Sequence, residues 1–251
     1  MPDSLAPQVV KPLLEGRFGD PYLYEEQTES TQLLLLDSGL PEGAAAATEH
    51  QTAGRGRLGR LWEEPAGTSV LVSVLLRPPA GRSAPELSLV AALAAAEAIE
   101  TATSLGARIK WPNDLLLDER KVAGVLAEMR GDTVVVGIGI NVNQRRDQLA
   151  HDARVPPGSL RAASGRTHDR ARLLAHVLAR LERHYDTWTS CGLSLLFADL
   201  RARDVLRGRR VTVDGEAGTA VGIHPSGQLE VDFDDGRRLI GSGEVLAHDL
   251  R

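Results

Sequence analysis

Apolar positions change period along this chain, and the changes mark out its elements. Residues 21–27 read as a strand, and 44–48 as a second, short and continuously apolar. Between them, Ser30 or Thr31 is placed to cap a helix through Leu33 to Leu36 that ends near Gly39-Leu40-Pro41. Residues 68–76 are β-branched residues and leucines stopped by Pro78-Pro79, a strand. In 85–105, Leu87, Val90, Ala94 and Ala98 make one helical apolar stripe, and the many alanines predict close packing on another element. Short strands follow at 108–111, 115–117, 121–129 and 133–143, joined by tight polar turns that favour antiparallel pairing. A helical period returns at 169–188, through Leu173, Leu174, Val177, Leu181 and Tyr185, and again at 193–206. Residues 1–20, punctuated by proline and glycine, are expected to be loosely held.

Beyond Gly208 the texture shifts to strands at 210–213, 217–224, 229–233 and 237–240, separated by Asp-Gly and Ser-Gly turns. That predicts a small β-barrel module after a larger α+β domain of mixed, mostly antiparallel sheet and helices. The expected division is 1–206 and 207–251.

Composition narrows the classes. The 251 residues are 42% hydrophobic and 25% charged, with a net charge of −5, which disfavours a general nucleic-acid binder. The single cysteine, Cys191, precludes an internal disulfide and fits a reducing cytoplasm. No run approaches the roughly 18 continuous apolar residues of a membrane span, and the first residues lack a signal peptide's basic start and apolar run. A cytoplasmic protein with no membrane partner is expected.

Three constellations carry chemistry. Gln51-Thr52-Ala53-Gly54-Arg55-Gly56-Arg57-Leu58-Gly59-Arg60-Leu61-Trp62 alternates glycines with arginines, whose fixed forks fit phosphate or carboxylate. A solvated loop and an RNA-touching patch are the alternatives. Leu58 and Trp62 speak against the first; the 4% aromatic content and the absence of a wider basic field speak against the second. Lys110-Trp111-Pro112-Asn113-Asp114 is a rigid turn, followed by Lys121-Val122-Ala123-Gly124. Lys121 is either a strand-edge charge or a point charge inside a pocket, where Gly124 leaves room for a ligand. Gly137-Ile138-Gly139-Ile140-Asn141 sets two glycines on one strand face, a wall for a flat ring, with Asn141 on the same face. No P-loop or dinucleotide fingerprint occurs, and the seven histidines lack metal-ligand spacing. Ser30 has no base partner and reads as a cap or hydrogen-bond donor.

Together these residues resemble the biotin–protein ligase family, the biotin–acetyl-CoA-carboxylase ligases. Glu29-Ser30-Thr31, the 51–62 loop, the Lys-Trp-Pro-Asn-Asp block, Lys121 to Gly124 and Gly139 to Asn141 occur in the family's order across residues 28–143. Gln32 stands where the family usually has asparagine. The resemblance implies a class II synthetase-like, lipoate-ligase-like catalytic domain with an SH3-like C-terminal barrel. It implies ATP-dependent conversion of biotin to biotinyl-5′-AMP, helped by Mg²⁺ carried on the nucleotide rather than by a protein metal cluster. Transfer to a lysine of biotin carboxyl carrier protein would follow. Lys121 and Arg55 are the implied catalytic residues. Ser30, Thr31, Gln32, Gln51, Arg55, Gly56, Arg57, Lys121 and Gly124 would hold biotin, and Arg57, Arg60, Trp62, Asn113, Asp114 and Asn141 the adenylate.

Only about 20 residues precede the first predicted strand. The short, monofunctional type is therefore implied, without a DNA-binding repressor domain, as a monomer or homodimer. The rivals are a lipoate–protein ligase and a non-catalytic biotin- or nucleotide-sensing module. The family's arginine loop is commonly mobile without ligand, and the glycines here suit that behaviour.

Overall fold

A computed structural model describes residues 3–149 and 155–248. Nineteen helices and strands are named in chain order: α1 (Pro7–Val10), β1 (Tyr22–Thr28), β2 (Ala45–Gln51), β3 (Gly54–Arg55), β4 (Leu61–Trp62), β5 (Ser69–Leu76), α2 (Leu87–Thr103), β6 (Arg108–Lys110), β7 (Asp114–Leu117), β8 (Arg120–Arg130), β9 (Thr133–Asn141), α3 (Leu160–Ser164), α4 (Arg170–Cys191), α5 (Phe197–Arg203), β10 (Arg210–Val213), β11 (Glu216–Ile223), β12 (Leu229–Phe233), β13 (Gly236–Ile240) and β14 (Val245–Ala247).

Seven strands form one sheet in the order β1-β2-β5-β9-β8-β7-β6. Only the β1·β2 pair is parallel, so the sheet is mixed and mostly antiparallel, as expected. Because side chains alternate across a strand, β5 splits its load. Val70, Val72, Val74 and Leu76 join the main core with α2 and α4, while Leu71 and Ser73 face the other way. Helix α2 is buried nearly all round rather than along one stripe, because it is packed between the sheet and α4. Its alanines at 91, 92, 94, 95, 96 and 98 permit that close approach. Helix α4 keeps the predicted apolar face, and the Asp169 carboxyl caps it by accepting the Arg172 N–H at 3.0 Å.

Three sequence expectations fail, each where tertiary contacts outweigh local pattern. The first 20 residues are not loose from Asp3 onward. Leu5, Val10 and Phe18 are fully buried, Tyr22 donates to the Leu5 carbonyl, and Arg170 grips Asp3 and Glu49. Residues 31–37 form consecutive turns instead of a capped helix. There the Thr31 N–H is taken by the Gln51 side chain, and Leu35 is drawn into a second small core with Ala44, Ala46, Leu75 and Val135. In 193–206 only α5 is helical. The chain then turns to meet β6, where the Val205 N–H reaches Ile109 O, and Asp204 accepts the N–H groups of Leu206 and Ile223. Burial pushes the Asp204 carboxyl above its usual range.

A second antiparallel sheet, β13-β12-β11-β10-β14, follows residue 209. The sequence had not marked β14, and this strand lies at the mouth of the cavity described next. Lys110 Nζ donates to Val245 O at 2.8 Å, and Trp111 Nε1 to Gly227 O at 2.9 Å, so the two sheets meet at the Lys110–Asp114 turn.

Candidate functional site

The sheet face away from α2 and α4 carries a cavity of about 600 Å³, within the usual range for a small-molecule site. Its floor comes from alternate residues of three adjacent strands. Gly139 pairs with Leu71 of β5 on one side and Gly124 of β8 on the other; Gly137 pairs with Ser73 and Leu126. The glycine face was expected to receive a ligand's flat ring; in the structure the protein's own Trp62, folded inward by the hairpin of β3 and β4, lies on it instead. A Cβ on Gly139 would sit 2.8 Å from the indole, and one on Gly124 would sit 3.1 Å from it.

Two amides are set at this floor with opposite polarity. The Gln32 Nε2 group donates to the carbonyls of Leu126 and Val135, at 3.2 and 3.4 Å. Those partners fix its nitrogen, so Gln32 can offer only an acceptor, Oε1, beside Gly137. In Gln51 the oxygen is the committed end: Oε1 accepts from the Thr31 N–H at 2.9 Å and Oγ1 at 3.2 Å. That leaves Nε2, a donor. Thr31 Oγ1 also meets Ser73 Oγ at 2.7 Å, and Ser30 lies buried beside them.

Charge gathers at the opposite end. A register shift in the β7·β8 pairing near Leu115/Leu116 re-aims the start of β8, and Lys121 Nζ reaches Asp114 Oδ1 at 2.7 Å. The ammonium also lies 5.7 Å from the Trp62 ring centroid. Lys121 is thus a pocket charge, not a strand-edge one. Among the loop arginines, Arg57 is half-buried, donating to Asn113 Oδ1 at 3.3 Å and Gly243 O at 3.4 Å. Burial lowers its pKa, but a guanidinium keeps its proton. Arg55 lines the mouth yet turns to Glu128 at 2.9 Å, and Arg60 pairs with Glu244. Asn113 Nδ2 donates to Val125 O at 2.8 Å, tying the turn to β8.

The cavity therefore gathers Ser30, Thr31, Gln32, Gln51, Arg55, Gly56, Arg57, Arg60, Trp62, Asn113, Asp114, Lys121 and Gly124. Asn141 is not among its walls. Though it shares the face of Gly137 and Gly139, its Nδ2 donates to Gly158 O and its Oδ1 accepts from Gln144, so a later segment covers that end of β9. The sequence also passed over Ser73, a polar position in an apolar strand that supports Thr31 from behind the cavity, and over Gly243 to Leu246 at its mouth, which carried no signal before the second sheet was seen. Among the described residues, no group of three or more His, Cys, Asp or Glu could hold a metal ion. His151 lies outside the described residues. No helix among them is long and apolar enough to cross a membrane.

A glycine floor covered by Trp62, two oriented amides and a cationic roof make this a site for a small ligand with a polar ring at one part and negative charge at another. The chain belongs to the biotin/lipoate A/B protein ligase family, whose profile matches residues 24–144. It is 37% identical over 242 residues to the biotin–[acetyl-CoA-carboxylase] ligase of Paracoccus denitrificans, covering 88% of this chain and 98% of that one. With the corresponding ligase of Mycobacterium tuberculosis it shares 34% identity, covering 88% and 86%. The solved structure of biotin protein ligase from Aquifex aeolicus in complex with biotin and ATP superimposes with a TM-score of 0.83 and 31% identity, covering 90% of this chain and 98% of that one.

Proposed function

We infer that this chain is an ATP-dependent biotin–protein ligase. It activates biotin as biotinyl-5′-AMP and transfers the biotinyl group to a lysine of a biotin carboxyl carrier protein. One observation carries the reading: Gln32 and Gln51 present a lone acceptor and a lone donor at one end of a cavity whose other end is cationic. A ureido ring has both N–H donors and a carbonyl acceptor, so it is matched by that pair, with Ser30 and Thr31 at hand. A dithiolane ring has neither N–H nor C=O and would leave both amides unpaired, which is why lipoate is the weaker substrate.

In the first step the biotin carboxylate attacks the α-phosphorus of ATP, and pyrophosphate leaves. Two anions must be brought together, and Arg57 and Lys121 supply fixed positive charge where negative charge builds. Asp114 holds the Lys121 ammonium in place. Arg55 and Arg60 lie at the mouth and reach phosphate only by leaving Glu128 and Glu244. Trp62 covers the joined ligand, with Asn113 on the adenylate side. Asn141 acts indirectly, by fixing the segment at Gly158. Mg²⁺ bound with ATP would neutralise phosphate charge; of the carboxylates lining the cavity, Asp114 pairs with Lys121 and Glu244 with Arg60.

In the second step the carrier lysine attacks the mixed anhydride and AMP leaves. Residues 1–206 form the ligase domain, 207–251 the smaller module, and the setting is the cytoplasm. Biotin-dependent ATP–pyrophosphate exchange tests the reading, with lipoate in parallel. Exchange with biotin and little with lipoate is the expected result. Biotin binding without exchange would leave a sensing module instead.

A further inference from the structure

Among the described residues, a second buried carboxyl besides Asp204 stands outside the cavity, and one of its oxygens has no partner. Glu64 lies two residues past Trp62, on the return leg of the arginine loop, and its side chain is fully buried. Its Oε1 accepts the Gln51 N–H at 3.1 Å and stands 3.3 Å from His50 Nδ1. Oε2 has no hydrogen-bond partner among the described residues. A carboxyl with so few partners is costly to bury, and burial pushes its pKa up against the pull of Gln51 and His50.

Its place in the loop shows what it holds. The two legs pair through Gly54·Trp62 and Arg55·Leu61, with the Gly56 N–H donating to Arg60 O at 2.8 Å toward the tip, and inward of Gly54·Trp62 the ladder stops. Glu64 continues the connection inward with a side-chain acceptor in place of the next backbone rung. Beyond it, the Gly67 N–H donates to Glu49 O at 2.9 Å. The residue it grips, Gln51, is the one whose amide meets Thr31 inside the cavity.

We propose that Glu64 is a positioning residue: its carboxyl oxygen clasps the loop's return leg to Gln51, and thereby fixes the Gln51 amide and the loop hinge in the geometry that grips the ligand. This rests on the biotin reading of the cavity. The clasp needs an acceptor at that reach, so glutamine serves in its place and an apolar residue of the same length does not.

Glu64→Met and Glu64→Gln separate the two. Glu64→Met raises the KM for biotin about ten-fold, the size expected for one lost hydrogen bond, with kcat changed less than about two-fold. It also releases biotinyl-5′-AMP faster, whereas Glu64→Gln stays within about two-fold of the unsubstituted protein on each measure. Thermal unfolding establishes that both variants fold. Glu64→Ser is the reserve variant, with the same expectation as Glu64→Met. Unchanged KM and adenylate release in Glu64→Met would overturn the proposal, as would equal impairment in Glu64→Gln. If the unsubstituted protein gives no biotin-dependent exchange, the biotin reading fails by itself. The clasp is then decided without ligand, by amide hydrogen exchange at Gln51 and tryptic cleavage of the loop. Both are faster in Glu64→Met than in Glu64→Gln if it exists, and equal if it does not.

Discussion

The floor and the roof of the cavity are built in opposite ways. The floor is the middle of the sheet, where β5, β9 and β8 pair continuously and Leu71 and Ile138 are buried to 2% exposure. The roof is a loop with a short ladder of its own, Gly54·Trp62, Arg55·Leu61 and the Gly56 N–H to Arg60 O. Leu58, expected from its apolar character to be buried, is instead 69% exposed, as Leu61 is at 68%, and Leu58 sits at φ 59 at the loop tip, a left-handed angle strained for leucine. Two of its arginines are held by ion pairs near the surface, each worth about 0–1 kcal/mol. On the proposed reading, the floor that would meet the ring is set before ligand arrives, and the loop arginines are held by contacts weak enough to exchange for the ligand's own oxygens. Such an order suits a carboxylate that must be shielded from water once activated.

Lys121 belongs to both halves, rooted in β8 and reaching under Trp62, so its loss has the largest expected effect. Lys121→Ala lowers biotin-dependent pyrophosphate exchange by about 10³-fold, ~4 kcal/mol of transition-state stabilisation, while the thermal midpoint moves little. Near-normal exchange would remove it from the chemistry, and an unfolded variant would make it a structural ion pair. Next comes the floor. Gly139→Val puts branched carbon where the indole now lies, so biotin binding measured by calorimetry falls about 100-fold. Binding within two-fold of the unsubstituted protein would show that the seat of Trp62 on Gly139 does not shape the ligand site.

The floor was the more legible half. Gly137-x-Gly139 gives a bare face by strand alternation alone, and Lys121 beside Gly124 gives a charge next to space. Alternation names a face, however, not what covers it. Asn141 shares that face and is covered by the segment at Gly158, 17 positions on. The roof's charges were legible too, but not their partners. Glu128 lies 73 positions from Arg55, and Glu244 lies 184 from Arg60, just before β14, a strand no local pattern marked. Residues 31–37 show the same limit in another form. Cap and apolar run are both present, but Gln51 takes the Thr31 amide, and Gln32 is stretched across to two strands.

Arg55→Ala tests the roof alone and has the smallest expected effect. In the empty protein it removes one ion pair with Glu128, in which the arginine side chain is 43% exposed, so stability changes by about 0.5 kcal/mol or less. If the loop is a conditional roof, the loss appears only with ligand. Biotin affinity falls about five- to ten-fold, and biotinyl-5′-AMP leaves correspondingly faster. Protease protection of loop 54–60 by biotin plus ATP also shrinks. Glu128→Ala frees the same guanidinium instead of deleting it, so it leaves biotin affinity equal or slightly tighter. Opposite signs for the two variants mean that Glu128 competes with the ligand for Arg55. Equal weakening in both would mean that the ion pair is part of the closed roof, and that floor and roof are set together.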